Sequence, residues 1–452
     1  MRMTRFRWIV IALIFSITVI NYIDRSAISY AISGIAHDLQ FSQHDKDIYS
    51  GFILSAFSIG YMLTTFFGGI FADRHGARVT LFWAALLWSI ASGLTGLAVG
   101  FVVLASVRVL LGVAEGPNFP AMNRGIADWL SSRERAIALS NSLVAVPLAL
   151  AIGAPIATQL IIHVGWRGMF IVLMVLGLVW LPLWLLLFRD FPEHSRFVNA
   201  AELQHIRDGE HVDRSIKSKT LHHRRRNIPG MWRFLLSNPT LLANNWAFFV
   251  FGYFLFFFMT WLPTYLEKAY QLDLKQIGVF GILPWLVAAI LLWGFGYLSD
   301  ALLRRTGSLR IARSHPIWIS QLLAGLCILP VIFVHDLTVM LVFISLAVGL
   351  SMSANAAFYA VNVDVARERA GTALGVMDTF FAISGFAAPL VTGWLVGVTR
   401  NFNAAFWLMA VLALSSVVVV ILFHHPDHSG RLELVPAGAI ANPVYMNKGL
   451  KQ

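Results

Sequence analysis

The chain has 452 residues, of which 58% are hydrophobic and only 13% charged, and its mean hydropathy is +0.71. Soluble domains average about 45–50% apolar and about 25% charged residues, so the composition excludes an ordinary soluble fold and indicates an integral membrane protein. The net charge of +11 raises nucleic acid as a partner, but the placement of that charge accounts for it as orientation charge, and no nucleic-acid partner is expected.

Apolar runs long enough to cross a bilayer begin at about residues 8, 49, 79, 101, 136, 168, 240, 277, 315, 338, 372 and 403. The spacing predicts an all-α membrane protein of twelve transmembrane helices in two blocks of six. The expected organisation is a first bundle over 1–188, a linker over 189–238, a second bundle over 239–424 and a tail over 425–452. The first run follows Arg2, Arg5 and Arg7, contains Asp24 and Arg25, and lacks a small-residue cleavage pattern. It reads as a retained helix and not as a signal peptide.

Lysine and arginine are unevenly shared between the two sides. With the N-terminus inside, 27 of the 34 fall on the inner side, against five outside (Lys46, Arg167, Lys268, Lys275, Arg400), while Arg25 and Arg108 lie within helices. That asymmetry places both termini in the cytoplasm. The one Asn-x-Ser/Thr match, Asn238-Pro239-Thr240, is blocked by its proline, which favours a bacterial inner (plasma) membrane. The basic linker, with Lys217, Lys219, His222-His223 and Arg224-Arg225-Arg226, reads as a solvated connector that also enforces topology; the alternative is a segment that binds anionic lipid headgroups. Membrane lipids and a small-molecule substrate are the expected partners, and the chain is expected to act as a monomer. The paired histidines lack a carboxylate or cysteine at ligand spacing, and the single cysteine, Cys327, excludes an intrachain disulfide. No metal or cofactor is expected.

Ionised groups at bilayer depth cost roughly 2.5–3.5 kcal/mol each on insertion scales, and they are kept where they face a partner or a water-filled path. Asp24-Arg25 in the first run and Arg108…Glu115 in the fourth are such groups. Arg108 and Glu115 are two helical turns apart and share a face, with Gly112 between them leaving room for another helix or a ligand. The pattern reads as a polar, titratable cavity; the alternative is an ion pair that locks two helices together. Asp378 in the eleventh run either caps a broken helix or titrates. The aromatic run Phe248–Trp261 reads as packing and lipid-facing surface, with Tyr253 its member best placed to reach a ligand.

The two blocks echo each other. Gly69-Ile-Phe-Ala-Asp73-Arg74-His-Gly76-Ala-Arg78 follows the second run, and Gly296-Tyr-Leu-Ser-Asp300 the eighth. Such internal repeats build many transporters, with the binding site at the repeat interface. The first segment resembles the loop 2–3 signature of the major facilitator superfamily, and Arg108-x-x-x-Gly112 its fourth-helix signature. The resemblance implies that Gly69, Asp73, Arg74, Gly76, Arg78 and Asp300 are gating residues outside the substrate site. Asn21-Tyr22-Ile-Asp24-Arg25, Glu115-Gly-Pro-Asn-Phe-Pro120, Trp261-Leu-Pro-Thr-Tyr265 and Gly371…Gly375 resemble the anion:cation symporter branch.

That branch implies proton-coupled import of a carboxylate, with sugar acids such as aldonates, aldarates or hexuronates as the substrate class, and no enzymatic activity. By matching positions, Asp24 and Glu115 would carry protons, Arg25 and Arg108 would be their basic partners and bind substrate, and Tyr22, Tyr61 and Asn355 would line the pocket. Ser353 is a further hydroxyl donor there. Val146 and Asp378 stand where galactonate-type relatives have glutamine and asparagine. Asp378 is therefore a candidate for both substrate binding and proton coupling. The competing expectations are an exporter of amphipathic drugs or organic acids in the same fold, and a membrane sensor that does not transport.

Overall fold

The computed structural model describes residues 3–42, 45–207, 231–366 and 370–429. The predicted linker cations from Lys217 to Arg226, with His222-His223, and most of the tail lie outside the described residues. The described part is almost wholly helical, with no strand. Eleven helices are long and apolar enough to cross a membrane, and one of them, Leu143–Leu187, is divided at Gly165, whose φ is 72°. The crossings therefore number twelve among the described residues, as the apolar runs predict.

They are labelled in chain order: α1 (Phe6–Asp38), α2 (46–75), α3 (77–96), α4 (Phe101–Trp129), α5 (132–164), α6 (166–187), α7 (Pro239–Tyr270), α8 (Leu274–Thr306), α9 (Arg310–Val331), α10 (Leu337–Ala366), α11 (Ala370–Thr399) and α12 (Asn403–Phe423). Turn chemistry marks the ends. Asn238 caps α7 by accepting from the Thr240 and Leu241 amides, with Pro239 in the first turn. Asp273 and Gln276 form a capping box at the start of α8, and Gly307, with φ of 66°, stops that helix.

Helices α1–α6 and α7–α12 form two six-helix bundles. Within the first, α2 and α4 cross almost backbone to backbone. A Cβ at Gly60 would lie 2.0 Å from the Val109 carbonyl, and one at Gly112 would lie 2.0 Å from the Phe57 carbonyl. The space left by Gly112 is therefore filled by α2, an arrangement common where helices pack without a hydrophobic driving force. The bundles meet where α2 packs on α11, α5 on α8 and α1 on α7.

The aromatic run of α7 faces protein and not lipid, which corrects the sequence expectation. In α7, 94% of the most apolar window is buried, against 33% in α12. The rings are spent on the bundle interface and interior: Phe248, Phe251 and Phe256 pack on Phe381 of α11, and Phe257 on Phe406 of α12. Aromatic richness alone does not distinguish a central helix from a lipid-facing one, because both need apolar surface.

One end of the molecule carries the linker, and there the chain is stitched to the first bundle. Glu202, in a short helix over 200–207, accepts from Thr4 Oγ1 (2.7 Å), from the Phe6 and Arg7 amides (both 3.1 Å) and from Arg7 Nη1 (3.0 Å). Arg7 also pairs with Glu134 at 3.0 Å.

Candidate functional site

The centre of the first bundle is polar. Arg25 of α1 donates through Nε and Nη2 to Oε2 of Glu115 on α4, at 3.1 and 2.7 Å. Its guanidinium is enclosed by rings, 4.5 Å from the centroid of Phe57, 4.8 Å from Tyr22 and 4.9 Å from Tyr61, each an attractive cation–π contact. Arg108 is 1% exposed, and its Nε and Nη1 have no hydrogen-bond partner; neither has Oε1 of Glu115. Arg25 and Arg108 line a cavity with Ile28, Leu54, Phe57 and Ser58, which Phe256, Met259 and Thr260 of α7 close from the other bundle.

Two sequence pairings come out differently. Asp24 does not pair with its neighbour Arg25, because consecutive helical residues point about 100° apart. It turns to α3, where Ser92 Oγ donates to its Oδ1 at 2.5 Å. Glu115 pairs across to Arg25 and not with Arg108 two turns back. Glu115 is the last residue before a short turn, Gly116-Pro117, after which the helix resumes at Asn118. The structural ion pair and the polar cavity were alternatives on the sequence; here one site contains both.

The second bundle supplies Asp378, Tyr359 and Asn355. Asn355 is 7% exposed with Oδ1 unpaired, just past the interruption of α10 at Ala354. Tyr359, one turn on, packs edge-on against Phe248 at 5.7 Å. Asp378 is half-buried on α11. Ser353 is turned away, donating to the Leu350 carbonyl at 2.7 Å, and so offers no hydroxyl proton to the cavity. Tyr253 is 2% exposed with no partner for its hydroxyl. Val146 is buried at 6% exposure.

Sequence reasoning missed Ser92, Phe57 and Tyr359. The spacing of Ser89, Ser92 and Thr95 along α3 was a visible signal for the first, and the four-residue step from Asn355 for the third. Phe57 had no signal, being one apolar residue among many. No group of metal-ligating side chains occurs among the described residues.

The predicted gating residues lie apart from this centre, at the linker end. Gly76 has φ of 83°, and the Arg78 amide donates to Asp190 Oδ1 at 2.8 Å. Arg78 Nη2 donates to the Leu185 carbonyl at 2.7 Å, and Arg124 pairs with Asp73 at 3.2 Å. Gly69 lies beside Pro120, and Arg74 is exposed. The side chain of Asp300 is outside the described residues.

The two ends of the molecule differ in closure. At the far end, Lys268 of α7 bonds Asp47 of α2 and Ser33 of α1 bonds Glu267, both at 2.5 Å. A Cβ at Gly51 would lie 2.8 Å from the Pro389 carbonyl of α11, and one at Gly278 would lie 2.1 Å from Thr158 Oγ1. At the linker end, Gly371 and Gly375 of the same α11 have no neighbour within 4 Å of a built Cβ. The bundles are clasped at the far end and parted at the linker end.

The family model of the Major Facilitator Superfamily matches residues 14–312 and 306–446. The chain belongs to that superfamily. It is 32% identical to a hexuronate transporter of Bacillus subtilis (strain 168) over 443 residues, which is 96% of this chain and 98% of that one. It is 32% identical to a probable sulfoacetate transporter of Cupriavidus necator, over 88% of this chain and 90% of that one. A probable galactarate/D-glucarate transporter of Escherichia coli (strain K12) is 31% identical, over 92% of each.

Two solved structures share the fold. A bacterial homologue of the human lysosomal transporter Spinster, inward-facing and unoccupied, matches with a TM-score of 0.70 at 17% identity, over 95% of this chain and 98% of that one. A D-xylose–proton symporter matches with a TM-score of 0.70 at 14% identity, over 94% and 99%. The superfamily protein is thus a multi-pass membrane transporter and not an enzyme, and the resemblance to sugar-acid transporters read from the motifs is borne out.

Proposed function

We propose that this transporter imports an organic carboxylate of the sugar-acid class together with protons, by alternating access across the inner membrane. The observation that carries this reading is the state of the two arginines: Arg25 is held by Glu115, while two donors of Arg108 are buried without partners. A carboxylate entering the cavity completes Arg108 and competes with Glu115 for the planar fork of Arg25. Protonating Glu115 removes that competitor. Proton and substrate thereby favour the same state, which is the reciprocal coupling that symport requires. Asp24, held by Ser92, is the second acid available for the cycle.

Lysine and arginine asymmetry supports a cytoplasmic linker end and cytoplasmic termini. On that orientation the conformation described here opens inward, and the Gly69–Arg78 segment acts as the inner latch. The arginines also argue against an exporter of amphipathic drugs, whose pocket would be mostly apolar. The test is uptake by the purified protein in liposomes, screened over hexuronates, aldonates, aldarates and uncharged sugars, with and without an imposed proton gradient. Proton-driven accumulation of one of the acids, with none of the uncharged sugars, is expected. Accumulation that ignores the proton gradient overturns the coupling.

A further inference from the structure

Asp378 has no hydrogen bond or ion pair with any described residue, although it sits at the bundle interface. Its place follows from the α2–α11 contact. The two helices run antiparallel, with Gly51 against Gly393 and Ser58 against Gly385. Carried two turns further, that register sets Asp378 opposite the Tyr61–Thr65 turn, where the clasped faces end and the opening begins. Tyr22 and Tyr61 then lie between the two charges. Each has its ring within 5 Å of Arg25 (4.8 and 4.9 Å). Tyr359 adds a third ring on the Asp378 side. The interface between the bundles therefore carries unsatisfied cationic donors of Arg108 on α4 and a carboxylate on α11 that no described residue pairs with.

A half-buried carboxylate that no described residue pairs with leaves its charge available to the cargo. A second anionic group on the cargo would meet repulsion there, which is how a site discriminates against a near relative of its substrate. A cation suits both the carboxylate and the ring faces. Resting on the carboxylate-transport reading above, we propose that the cargo is a hydroxylated acid that also bears a protonated amine. Its carboxylate binds at Arg25 and Arg108, and its ammonium at Asp378.

The experiment uses purified full-length protein in liposomes and three probes of one carbon skeleton, differing only at the carbon furthest from the carboxylate: gluconate, glucarate and 6-amino-6-deoxygluconate. Each competes in counterflow and in equilibrium binding, with wild type and with Asp378→Asn. In the wild type the amino acid should bind at least tenfold tighter than gluconate, and glucarate weakest of the three. Asparagine still accepts hydrogen bonds from hydroxyls but offers no charge. Asp378→Asn should therefore bind the amine no more tightly than gluconate, and admit glucarate. A monodisperse size-exclusion peak and a thermal midpoint equal to wild type show that the variant is folded. A wild type that prefers glucarate, or an unchanged ranking in Asp378→Asn, overturns the assignment of Asp378. If none of the three probes competes in either protein while an uncharged sugar does, it is the carboxylate reading itself that fails.

Discussion

Arg25 is the residue on which the proposed cycle turns, because Glu115 and an incoming carboxylate want the same fork. Arg25→Lys keeps the charge but loses the planar pair of donors and much of the ring stacking on Phe57, Tyr22 and Tyr61. Apparent affinity for the transported acid should fall at least tenfold, measured as the half-saturating concentration for uptake; near-normal affinity would remove Arg25 as the anchor. Glu115→Gln resembles a permanently protonated acid. It should still bind substrate and exchange it in counterflow, yet fail to accumulate it when a proton gradient is imposed. Full proton-driven accumulation by this variant would move the coupling to Asp24 or Asp378. The sequence made the charged residues legible, because ionised groups in apolar runs stand out. It did not show how they pair. Asp24 and Arg25 are adjacent in the chain and diverge in space, and it is the packing of α1 against α4 that brings Arg25 to Glu115.

At the scale of elements, the helices were legible nearly to the turn, since each is an apolar run closed by turn chemistry. The partners of each helix were not. Helix α7 carries as many rings as a lipid-facing segment and is nonetheless enclosed, and nothing in its period of hydrophobicity distinguishes the cases. The short helix over 200–207 was read only as part of the linker. Its Glu202 accepts the first free amides of α1, so an acid nearly two hundred residues away caps that helix at its positive end. Burial alone would disfavour its charge, but bonds from Thr4, Arg7 and Phe6 outweigh burial and hold the carboxyl below the usual range. With the folded value depressed, this stabilisation is fully present above the unfolded value of about 4.3 and is lost as pH falls through the folded one. Glu202→Gln should lower stability at pH 7 by roughly 1.5–3 kcal/mol, the usual worth of hydrogen bonds to a charged group. In detergent its thermal midpoint should also fall less steeply below pH 4.3 than that of wild type. A midpoint equal to wild type at pH 7 would show that the cap carries no weight.

For the molecule as a whole, the repeat of Gly-x-x-x-Asp towards the ends of α2 and α8 was readable, and so was the two-bundle plan. The conformation was not, because a transporter sequence must encode both of its end states. Asp73 pairs with Arg124 within the first bundle, far from the arginine cavity. Asp73→Asn should therefore slow turnover severalfold and leave equilibrium substrate binding within about twofold, as calorimetry and initial uptake rates would read. Lost binding with normal turnover of the bound fraction would place Asp73 in the site instead.

The polar centre of the first bundle brings together Arg25, Arg108, Asp24 and Glu115. When all four are ionised their charges cancel, so the current carried per cycle is set by the cargo and its protons. A monoanion entering with one proton would move no net charge, and membrane voltage would do no work on it. A cargo whose ammonium balances its carboxylate would carry one positive charge inward with that same proton. Each 100 mV of interior-negative potential then adds about 2.3 kcal/mol to accumulation. Voltage clamped by a potassium gradient and valinomycin, at equal pH on both sides, should therefore drive uptake of the amino acid and leave gluconate at equilibrium.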